Sequence, residues 1–205
     1  MAGIGGVLLA AGMSVRMGRP KLLETIGGVT LLEMAVANHL SSRLAVVGVV
    51  VPGWDERFEP VLKKVSSPGL EVVKVDAPCQ MSQSLKVGWQ RLAARSQVEA
   101  IAISLADKPL IGPRIINHLI DCYLTRSSGI CVPIHNGRRG HPVIVSLDFS
   151  SDIMELEGDA GARSLIERNR SAVVEIVVED DSIVFDVDDE GDFVKLSERL
   201  KHGRG

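Results

Sequence analysis

Apolar runs rich in Val and Ile recur along the chain, separated by polar or amphipathic stretches. The run at residues 45–51 is apolar throughout apart from Gly48, which indicates a strand buried on both faces, as in a parallel sheet. The other runs are shorter but have the same character, and each is predicted to form a strand. The eight predicted strands are residues 7–9, 45–51, 70–75, 100–105, 130–134, 143–145, 173–178 and 183–187.

Three of the stretches between these runs have helical spacing. Thr30 and Glu33 form a capping-box pattern at the start of the first predicted helix. A second helix is predicted over residues 82–94, with Ser82 as its N-cap, and a third begins with Pro113 in its first turn. The predicted core contacts of the three helices are Leu31, Leu32, Ala35, Val36 and Leu40; Leu85, Val87, Trp89 and Leu92; and Ile116, Leu119 and Ile120.

Alternation of strands and helices predicts an α/β fold, in which a mostly parallel, Rossmann-like sheet lies between two helical layers. After Gly129 the pattern changes, because two strands flank the turn-rich residues 136–140 and indicate a small β-hairpin lobe. At 205 residues the whole chain, 1–205, is predicted to form one domain. Ligands of such sheets bind beyond the carboxyl ends of the strands, where the opening loop, residues 76–84 and Asp107 should converge.

Composition narrows the possible partners and compartments. A net charge of −3 argues against general binding to nucleic acid or to a membrane, both of which favour an excess of basic residues. The three cysteines form no C-x-x-C pair, so neither a disulfide framework nor a zinc site is predicted. No apolar run is long enough to span a bilayer, and no basic residue precedes the first apolar stretch. We therefore expect a cytoplasmic protein.

The run from Leu9 to Lys21, LAAGMSVRMGRPK, holds the most specific chemical signal. It follows a predicted strand and combines small residues with the cations Arg16, Arg19 and Lys21. Small residues allow the backbone to approach a ligand, and the cations supply charge to a polyphosphate. No G-x-x-x-x-G-K-[ST] sequence is present, and the glycine-rich residues 3–6 precede the strand, so the common nucleotide fingerprints do not apply.

The run resembles the LAAGxSxRMGxxK signature of the MobA/MocA-like nucleotidyltransferases, which attach a nucleotide to the molybdenum cofactor. The resemblance extends from Val7 to about Val194 and implies a GT-A-type nucleotidyltransferase fold. It implies that residues 1–110 bind the nucleotide and residues 111–205 the acceptor. Within the signature, the implied nucleotide-binding residues are Leu9, Ala10, Ala11, Gly12, Ser14, Arg16 and Lys21, of which Arg16 and Lys21 contact the triphosphate and are catalytic.

Two acidic segments resemble the metal-binding motifs of the family. Asp107 lies in Leu-Ala-Asp-Lys-Pro, directly after a predicted strand, and matches the aspartate that binds magnesium. Asp186 and Asp188 match the family's D-[IV]-[DN]-T-x-x-D, although Asp189 replaces the usual Thr. On a strand both side chains would point to the same face, and we favour Asp188 over Asp186 as the second ligand of a magnesium ion.

Three further segments match family motifs. Met81, Ser82 and Ser84 lie in a sequence that resembles the G-M-S-x-S-L loop of the cytidylyl branch, where the loop faces the base and ribose. Gln80 stands where that branch has Gly, which changes a position that normally has no side chain. The motif G-H-P contains His141, the motif G-D-x-G-A-R contains Asp159 and Arg163, and Arg138 lies in the basic turn just before G-H-P. The resemblance implies that these four residues form the acceptor site.

The resemblance implies magnesium-dependent transfer from a nucleoside triphosphate, with CTP favoured by Ala11 and Met81-Ser82, to molybdopterin or its molybdenum form. The product would pass to a recipient molybdenum enzyme. One alternative is the GTP-dependent guanylyl branch, and another is a non-catalytic carrier or insertion chaperone, which the change at Gln80 keeps open. A glycosyltransferase fits less well, because such enzymes have D-x-D in mid-chain, where this chain has a single Asp107.

Overall fold

The computed structural model describes residues 3–12, 20–126, 129–159 and 161–202. Its strands are β1 (Gly3–Leu9), β2 (Thr25–Ile26), β3 (Val29–Thr30), β4 (Val46–Pro52), β5 (Leu70–Val75), β6 (Val98–Leu105), β7 (Ile130–His135), β8 (Arg138–Arg139), β9 (Val143–Ser146) and β10 (Val173–Val177). Its α-helices are α1 (Leu31–Leu40), α2 (Phe58–Lys64), α3 (Met81–Ala93), α4 (Pro113–Arg126), α5 (Ser150–Met154), α6 (Ala162–Arg168) and α7 (Glu190–His202). Helix α1 begins with the predicted capping box. The carboxylate of Glu33 accepts a hydrogen bond from the backbone N–H of Thr30, and the hydroxyl of Thr30 accepts one from the backbone N–H of Glu33.

The main sheet has the strand order β10-β7-β9-β6-β1-β4-β5, with β8 paired to β7. Strands β6, β1, β4 and β5 are mutually parallel, whereas β9 runs antiparallel to both of its neighbours, β6 and β7. The predicted hairpin strands at residues 130–134 and 143–145 are β7 and β9, which pair antiparallel within the main sheet. Between them, β7 also pairs with β8 around Asn136 and Gly137, which both have positive φ, as a tight hairpin turn requires. The mostly parallel α/β fold is confirmed, and the strands that flank the hairpin turn are part of the main sheet.

Helices cover both faces of the sheet and form the two outer layers. On β1, Val7 packs in the apolar cluster that contains residues of α3, α5 and α6. The next residue, Leu8, faces the opposite side and packs with α1, α2 and α7. Helix α3 lies close to the sheet at Gly88, where a Cβ atom would be 2.7 Å from a side-chain carbon of Val50. Because the central strands are covered on both faces, function is confined to the ends of the strands.

The predicted strand at residues 183–187 is wrong. Residues Asp181–Ile183 form a short 3-10 helix, and the N–H groups of Val184 and Phe185 both donate to the carbonyl of Asp181. Ile183 and Val187 are buried and Val184 and Phe185 are partly buried, but no ladder with a neighbouring strand forms. One backbone hydrogen bond, from the Val187 N–H to the carbonyl of Asp107 at 3.0 Å, ties this segment to the end of β6.

Two details of α3 also differ from the prediction. The N-cap of the helix is Gln80 rather than Ser82, which lies inside the first turn and is buried. Val87 is 37% exposed and is not a core contact, whereas Leu85, Trp89 and Leu92 are buried as expected. The helix therefore begins closer to the residues that follow β5, and its first turn is available to the cleft.

The fully buried His39 predicts that stability depends on pH. Its Nδ1–H donates to the carbonyl of Ala35, and its Nε2 accepts from the hydroxyl of Ser104. Burial lowers the pKa of His39 to about 4, from an ordinary value of 6.5. Because the unfolded chain binds a proton at His39 more tightly than the folded chain does, the free energy of unfolding depends on pH. The contribution of His39 to stability is fully present above pH 6.5 and is lost as the pH falls toward 4. Between pH 7.5 and pH 5 we expect a loss of about 2 kcal/mol from this residue.

Urea unfolding of the wild type and of His39→Gln at these two pH values checks the prediction. His141 has a similarly lowered pKa and remains in the variant, so the loss in His39→Gln should be about half of the wild-type loss. An equal loss in both proteins would contradict the assignment of the pH dependence to His39.

Candidate functional site

A cavity of about 590 Å³ opens beyond the carboxyl ends of β1 and β6, beside the first turn of α3. The opening loop, the residues between β5 and α3, and Asp107 all contribute to its wall, so the predicted convergence of these three segments is confirmed. Its volume is in the ordinary range for sites that bind small molecules. Of the residues predicted to bind nucleotide, those that line it are Leu9, Ala10, Ala11, Gly12, Lys21, Met81 and Ser84.

At one end of the cavity, Lys21 bridges two carboxylates. Its Nζ donates to Asp107 Oδ2 and to Asp188 Oδ1, each at 2.9 Å. Lys21 begins the short 3-10 helix Lys21–Leu23, which the buried Leu22 anchors against the core. Asp107 directly follows β6, and the backbone hydrogen bond between Val187 and Asp107 brings Asp188 beside it. The predicted catalytic lysine and the two predicted metal ligands therefore meet at one point.

The two carboxylates keep the ammonium group charged. The side chain of Lys21 is only 13% exposed. Burial by itself lowers the pKa of Lys21, but attraction and hydrogen bonding to Asp107 and Asp188 outweigh it, so the pKa is above its ordinary value. The site thus holds a fixed positive charge between two negative ones, an arrangement that suits a ligand with both phosphates and a cation.

The two aspartates fit a hard divalent cation. Asp107 Oδ1 is buried and has no hydrogen-bond partner in the described part of the chain, which leaves a carboxylate oxygen available as a ligand. Carboxylate oxygens are preferred ligands of Mg²⁺ and Mn²⁺. No group of three or more candidate ligand side chains occurs among the described residues, so phosphate oxygens and water would have to complete the coordination sphere.

Asp186 lies in a different environment from Asp188. Its Oδ2 is 3.8 Å from Nζ of Lys108, a buried lysine that follows Asp107. Because residues 183–187 do not form a strand, the expectation that Asp186 and Asp188 share a face has no basis in the structure. Asp188 pairs with Lys21, and Asp186 pairs with Lys108.

His141 is held next to this charged cluster. The backbone N–H of His141 donates to the carbonyl oxygen of Ile183. The preceding residue, Gly140, lies so close to Ile183 that a Cβ atom added to Gly140 would be 2.6 Å from this carbonyl oxygen. The ring Nδ1 is buried with no partner among the described residues. Burial and the positive charge of Lys108 lower the pKa of His141 to about 4, against the opposing pull of Asp107, so the ring is neutral.

Three of the four predicted acceptor residues, His141, Arg138 and Arg163, do not line the cavity. Arg138 is exposed on β8, and Arg163 is exposed on α6, where its guanidinium pairs with Glu167. Neither is among the residues that line the cavity. Asp159 does line it, but its Oδ1 accepts a hydrogen bond from the N–H of Met81 and so caps α3.

The first turn of α3 is joined to the turn at residues 158–159 by three hydrogen bonds. Besides the bond from Met81 to Asp159, the Ser82 N–H donates to the carbonyl of Gly158 at 3.1 Å. In return, the Gly158 N–H donates to Oε1 of Gln80 at 3.2 Å. Ser82 is buried and does not line the cavity, whereas the hydroxyl of Ser84 contacts Cys79 Sγ at 3.2 Å.

The cavity also has lining residues that sequence reasoning did not select as site residues. Most of them are neighbours of motif residues, and that adjacency was the signal available in the sequence. They are Leu22, Pro78, Cys79, Gln80, Gln83 and Leu105. Ser14 and Arg16, which the resemblance places at the nucleotide, lie outside the described residues.

Among the described residues, every helix is too short or too polar to cross a bilayer.

Solved structures with the same fold include mycobacterial proteins. The crystal structure of the Rv0371c homologue from Mycobacterium sp. strain JC1 has a TM-score of 0.81 and 32% identity, with 97% of each chain covered. The structure of Rv0371c from Mycobacterium tuberculosis H37Rv in complex with manganese has a TM-score of 0.76 and 25% identity, over 96% of this chain and 99% of the other.

Curated proteins with similar sequences are 24–29% identical to this chain over the matched regions. The molybdenum cofactor cytidylyltransferase of Escherichia coli K12 is 24% identical over 97% of this chain and 98% of its own length. A probable molybdenum cofactor guanylyltransferase of Thermococcus sibiricus is 26% identical over 74% of this chain and 71% of its own. The purine catabolism protein PucB of Bacillus subtilis is 29% identical over 79% and 80%, respectively.

The family model described as "MobA-like NTP transferase domain" matches residues 6–173. The match covers most of the chain, from within β1 to the first residue of β10, and includes the carboxylate Asp107. The chain therefore belongs to the MobA-like NTP transferase family, a family of nucleotidyltransferases.

Proposed function

We propose that this protein transfers a cytidylyl group from CTP to the phosphate of molybdopterin or its molybdenum form and uses Mg²⁺. Residues 1–110 would bind the nucleotide, and residues 111–205 would bind the acceptor. The observation that carries the proposal is the bridge from Lys21 to Asp107 and Asp188 at the end of a ligand-sized cavity. It combines a fixed cation with two carboxylates, as the transfer of a phosphoryl-linked group requires.

The residues present account for the main chemical demands of this reaction. An oxygen of the acceptor phosphate attacks the α-phosphorus of CTP, and the bond from that phosphorus to the pyrophosphate oxygen breaks. Lys21 would stabilise the negative charge that develops on the phosphates during this exchange. A magnesium ion held by Asp107 and Asp188 would neutralise further phosphate charge. The attacking oxygen is already ionised near neutral pH, so the reaction needs no strong general base.

The acceptor contacts are proposed with different degrees of structural support. His141 has a neutral ring close to Asp107 and Lys108, with a buried Nδ1 that has no partner among the described residues, but it does not line the cavity, so its contact with the acceptor rests mainly on the motif. Asp159 lines the cavity but also caps α3. Arg138 and Arg163 would contact only those parts of an acceptor that extend beyond the cavity. For Ser14 and Arg16 the motif is the sole support.

Two other functions remain candidates, each for a specific reason. The relative from Thermococcus sibiricus is named a probable guanylyltransferase, so GTP is the principal alternative nucleotide. A carrier or insertion chaperone would bind the cofactor without turnover. The bridge of Lys21 to two carboxylates favours catalysis, because a carrier has no leaving pyrophosphate to stabilise.

Thermal unfolding with Mg²⁺ and each of CTP, GTP, ATP and UTP tests nucleotide choice. We expect CTP to raise the melting temperature most. A ligand at about one hundred times its Kd adds roughly 2.7 kcal/mol, or about 5–10 °C for a chain of this size. Release of pyrophosphate from CTP, dependent on added molybdopterin, then tests transfer itself.

Each result of these assays has a distinct meaning. A larger shift with GTP would retain the reaction class and overturn the choice of CTP. Binding of CTP without release of pyrophosphate in the presence of molybdopterin would contradict the proposed transfer and favour the carrier.

A further inference from the structure

Two glutamine side chains beside the cavity have their orientations set by the backbone. Oε1 of Gln80 accepts from the N–H of Gly158 at 3.2 Å, and Oε1 of Gln83 accepts from the N–H of Gln80 at 3.1 Å. A backbone N–H can only donate, so in each carboxamide the oxygen, and not the NH₂ group, must face it. The NH₂ groups of Gln80 and Gln83 therefore point away from these contacts.

Both NH₂ groups are available to a ligand. Gln80 and Gln83 line the cavity, and neither NH₂ group has an acceptor among the described residues. The two carboxamides are neighbours, because Gln83 Oε1 bonds to the backbone of Gln80 itself. Together they form a local surface that offers hydrogen-bond donors and no free amide oxygen.

This surface belongs to a part of the cavity wall that has no positive side chain among the described lining residues. The charged side chains Lys21, Asp107 and Asp188 form one cluster, whereas the wall near the start of α3 is formed by Pro78, Cys79, Gln80, Met81, Gln83 and Ser84, together with the carboxylate of Asp159, which accepts from the Met81 N–H. Phosphates would be drawn to the lysine and to a cation on the aspartates. An uncharged base is not attracted to these charges in the same way. The hydrogen-bond donors near the start of α3 can instead pair with its acceptor atoms.

We infer that Gln80, assisted by Gln83, is a specificity-determining residue that recognises the nucleotide base through its acceptor edge. This inference rests on the proposed function, since it assumes that a nucleoside triphosphate occupies the cavity. Two neighbouring donors match a base with two adjacent acceptors. Cytosine offers N3 and O2, and guanine offers O6 and N7, whereas uracil and adenine interrupt the corresponding edges with a donor.

CTP and UTP are a matched pair for the test. They share the sugar, the triphosphate and O2, and they differ at N3, which accepts in cytosine and donates in uracil, and at the neighbouring 4-position. The wild type should therefore bind CTP more tightly than UTP in the presence of Mg²⁺, as measured by isothermal titration calorimetry without any acceptor substrate. This readout requires no turnover.

Gln80→Glu removes the NH₂ group and retains an oxygen that can accept from Gly158. We expect the CTP/UTP affinity ratio to fall about tenfold, because a donor to N3 of cytosine becomes an acceptor, which repels N3 of cytosine but can accept from the N3–H of uracil. Repulsion between the new charge and the triphosphate weakens both nucleotides and largely cancels in the ratio. Gln83→Glu, which retains the acceptor for the Gln80 N–H, should weaken CTP and UTP alike, because the neighbouring acceptor O2 is common to both bases.

Gln90→Glu is the matched control. It adds the same charge to α3, but Gln90 contacts Met154 Sδ and does not line the cavity. It should leave the ratio unchanged, and the melting temperatures of the free proteins show whether each variant is folded. An unchanged ratio in folded Gln80→Glu, or a wild type that binds CTP and UTP equally, overturns the inference while the proposed function stands. A wild type that binds no nucleoside triphosphate overturns both.

Discussion

Asp107→Asn is expected to lower the rate of nucleotidyl transfer at saturating CTP by about 10³-fold. The substitution retains the shape of the side chain but removes the negative charge. It weakens the bond to Lys21 and replaces Oδ1, the buried oxygen with no described partner, with a group of lower affinity for a cation. Steady-state release of pyrophosphate with molybdopterin as acceptor measures the loss. Titration with Mn²⁺, followed by electron paramagnetic resonance, should show weaker metal binding by the same variant.

Asp186 and Asp188 provide the internal control for this experiment. Both are aspartates of one segment, but Asp188 pairs with Lys21 and Asp186 with Lys108. We expect Asp188→Asn to lower both the rate and the affinity for Mn²⁺, and Asp186→Asn to have little effect on either. Equal losses in the two variants would contradict the assignment of the second ligand to Asp188.

Lys21→Met is expected to lower kcat by about 10²- to 10³-fold, with a smaller rise in the KM for CTP. The methionine replaces the aliphatic part of the lysine and removes the ammonium that both carboxylates hold. If that charge stabilises the departing pyrophosphate, its loss affects the transition state more than the bound substrate. Kinetics at several CTP concentrations separate kcat from KM.

Lys195→Met controls for loss of a lysine charge, because Lys195 is exposed and pairs only with Asp192 of the same helix in the described structure. It should leave both kinetic constants unchanged. If Lys21→Met reduces CTP binding but the wild type itself shows no turnover, the lysine serves ligand binding and the carrier function gains support. A folded Lys21→Met variant with the wild-type kcat would remove Lys21 from the catalytic machinery.

The charged cluster depends on the order of strands in the sheet. Lys21 and Asp107 are 86 residues apart in sequence, and Lys21 and Asp188 are 167 apart. β1 and β6 are adjacent and parallel, so the residues that follow them emerge at the same edge. Asp188 reaches that edge through the backbone bond between Val187 and Asp107, although it follows no strand. The site is thus a consequence of the topology rather than of any local motif.

Much of the fold was predictable from the sequence, because the forces that select it act locally. Seven of the eight predicted strands are present, and the apolar runs of the central strands are buried because helices cover both faces of the sheet. In the two outermost strands of the strand order, Val72 of β5 and Val177 of β10 are exposed. The capping box at Thr30 and Glu33 forms as expected, since it needs only residues three positions apart. Lys21 and Asp107 were recognisable because each lies in a short motif after a buried strand.

Only the tertiary structure decided the details of the site. An apolar run predicts burial, but a strand also requires a partner, and residues 183–187 form no ladder with a described strand. Asp188 and Asp186 look alike in sequence and differ only in which lysine lies near each. The contacts of Gln80 with Gly158 and of Asp159 with Met81 join segments 78 residues apart. Such hydrogen bonds depend on how the chain folds back on itself, which no local pattern specifies.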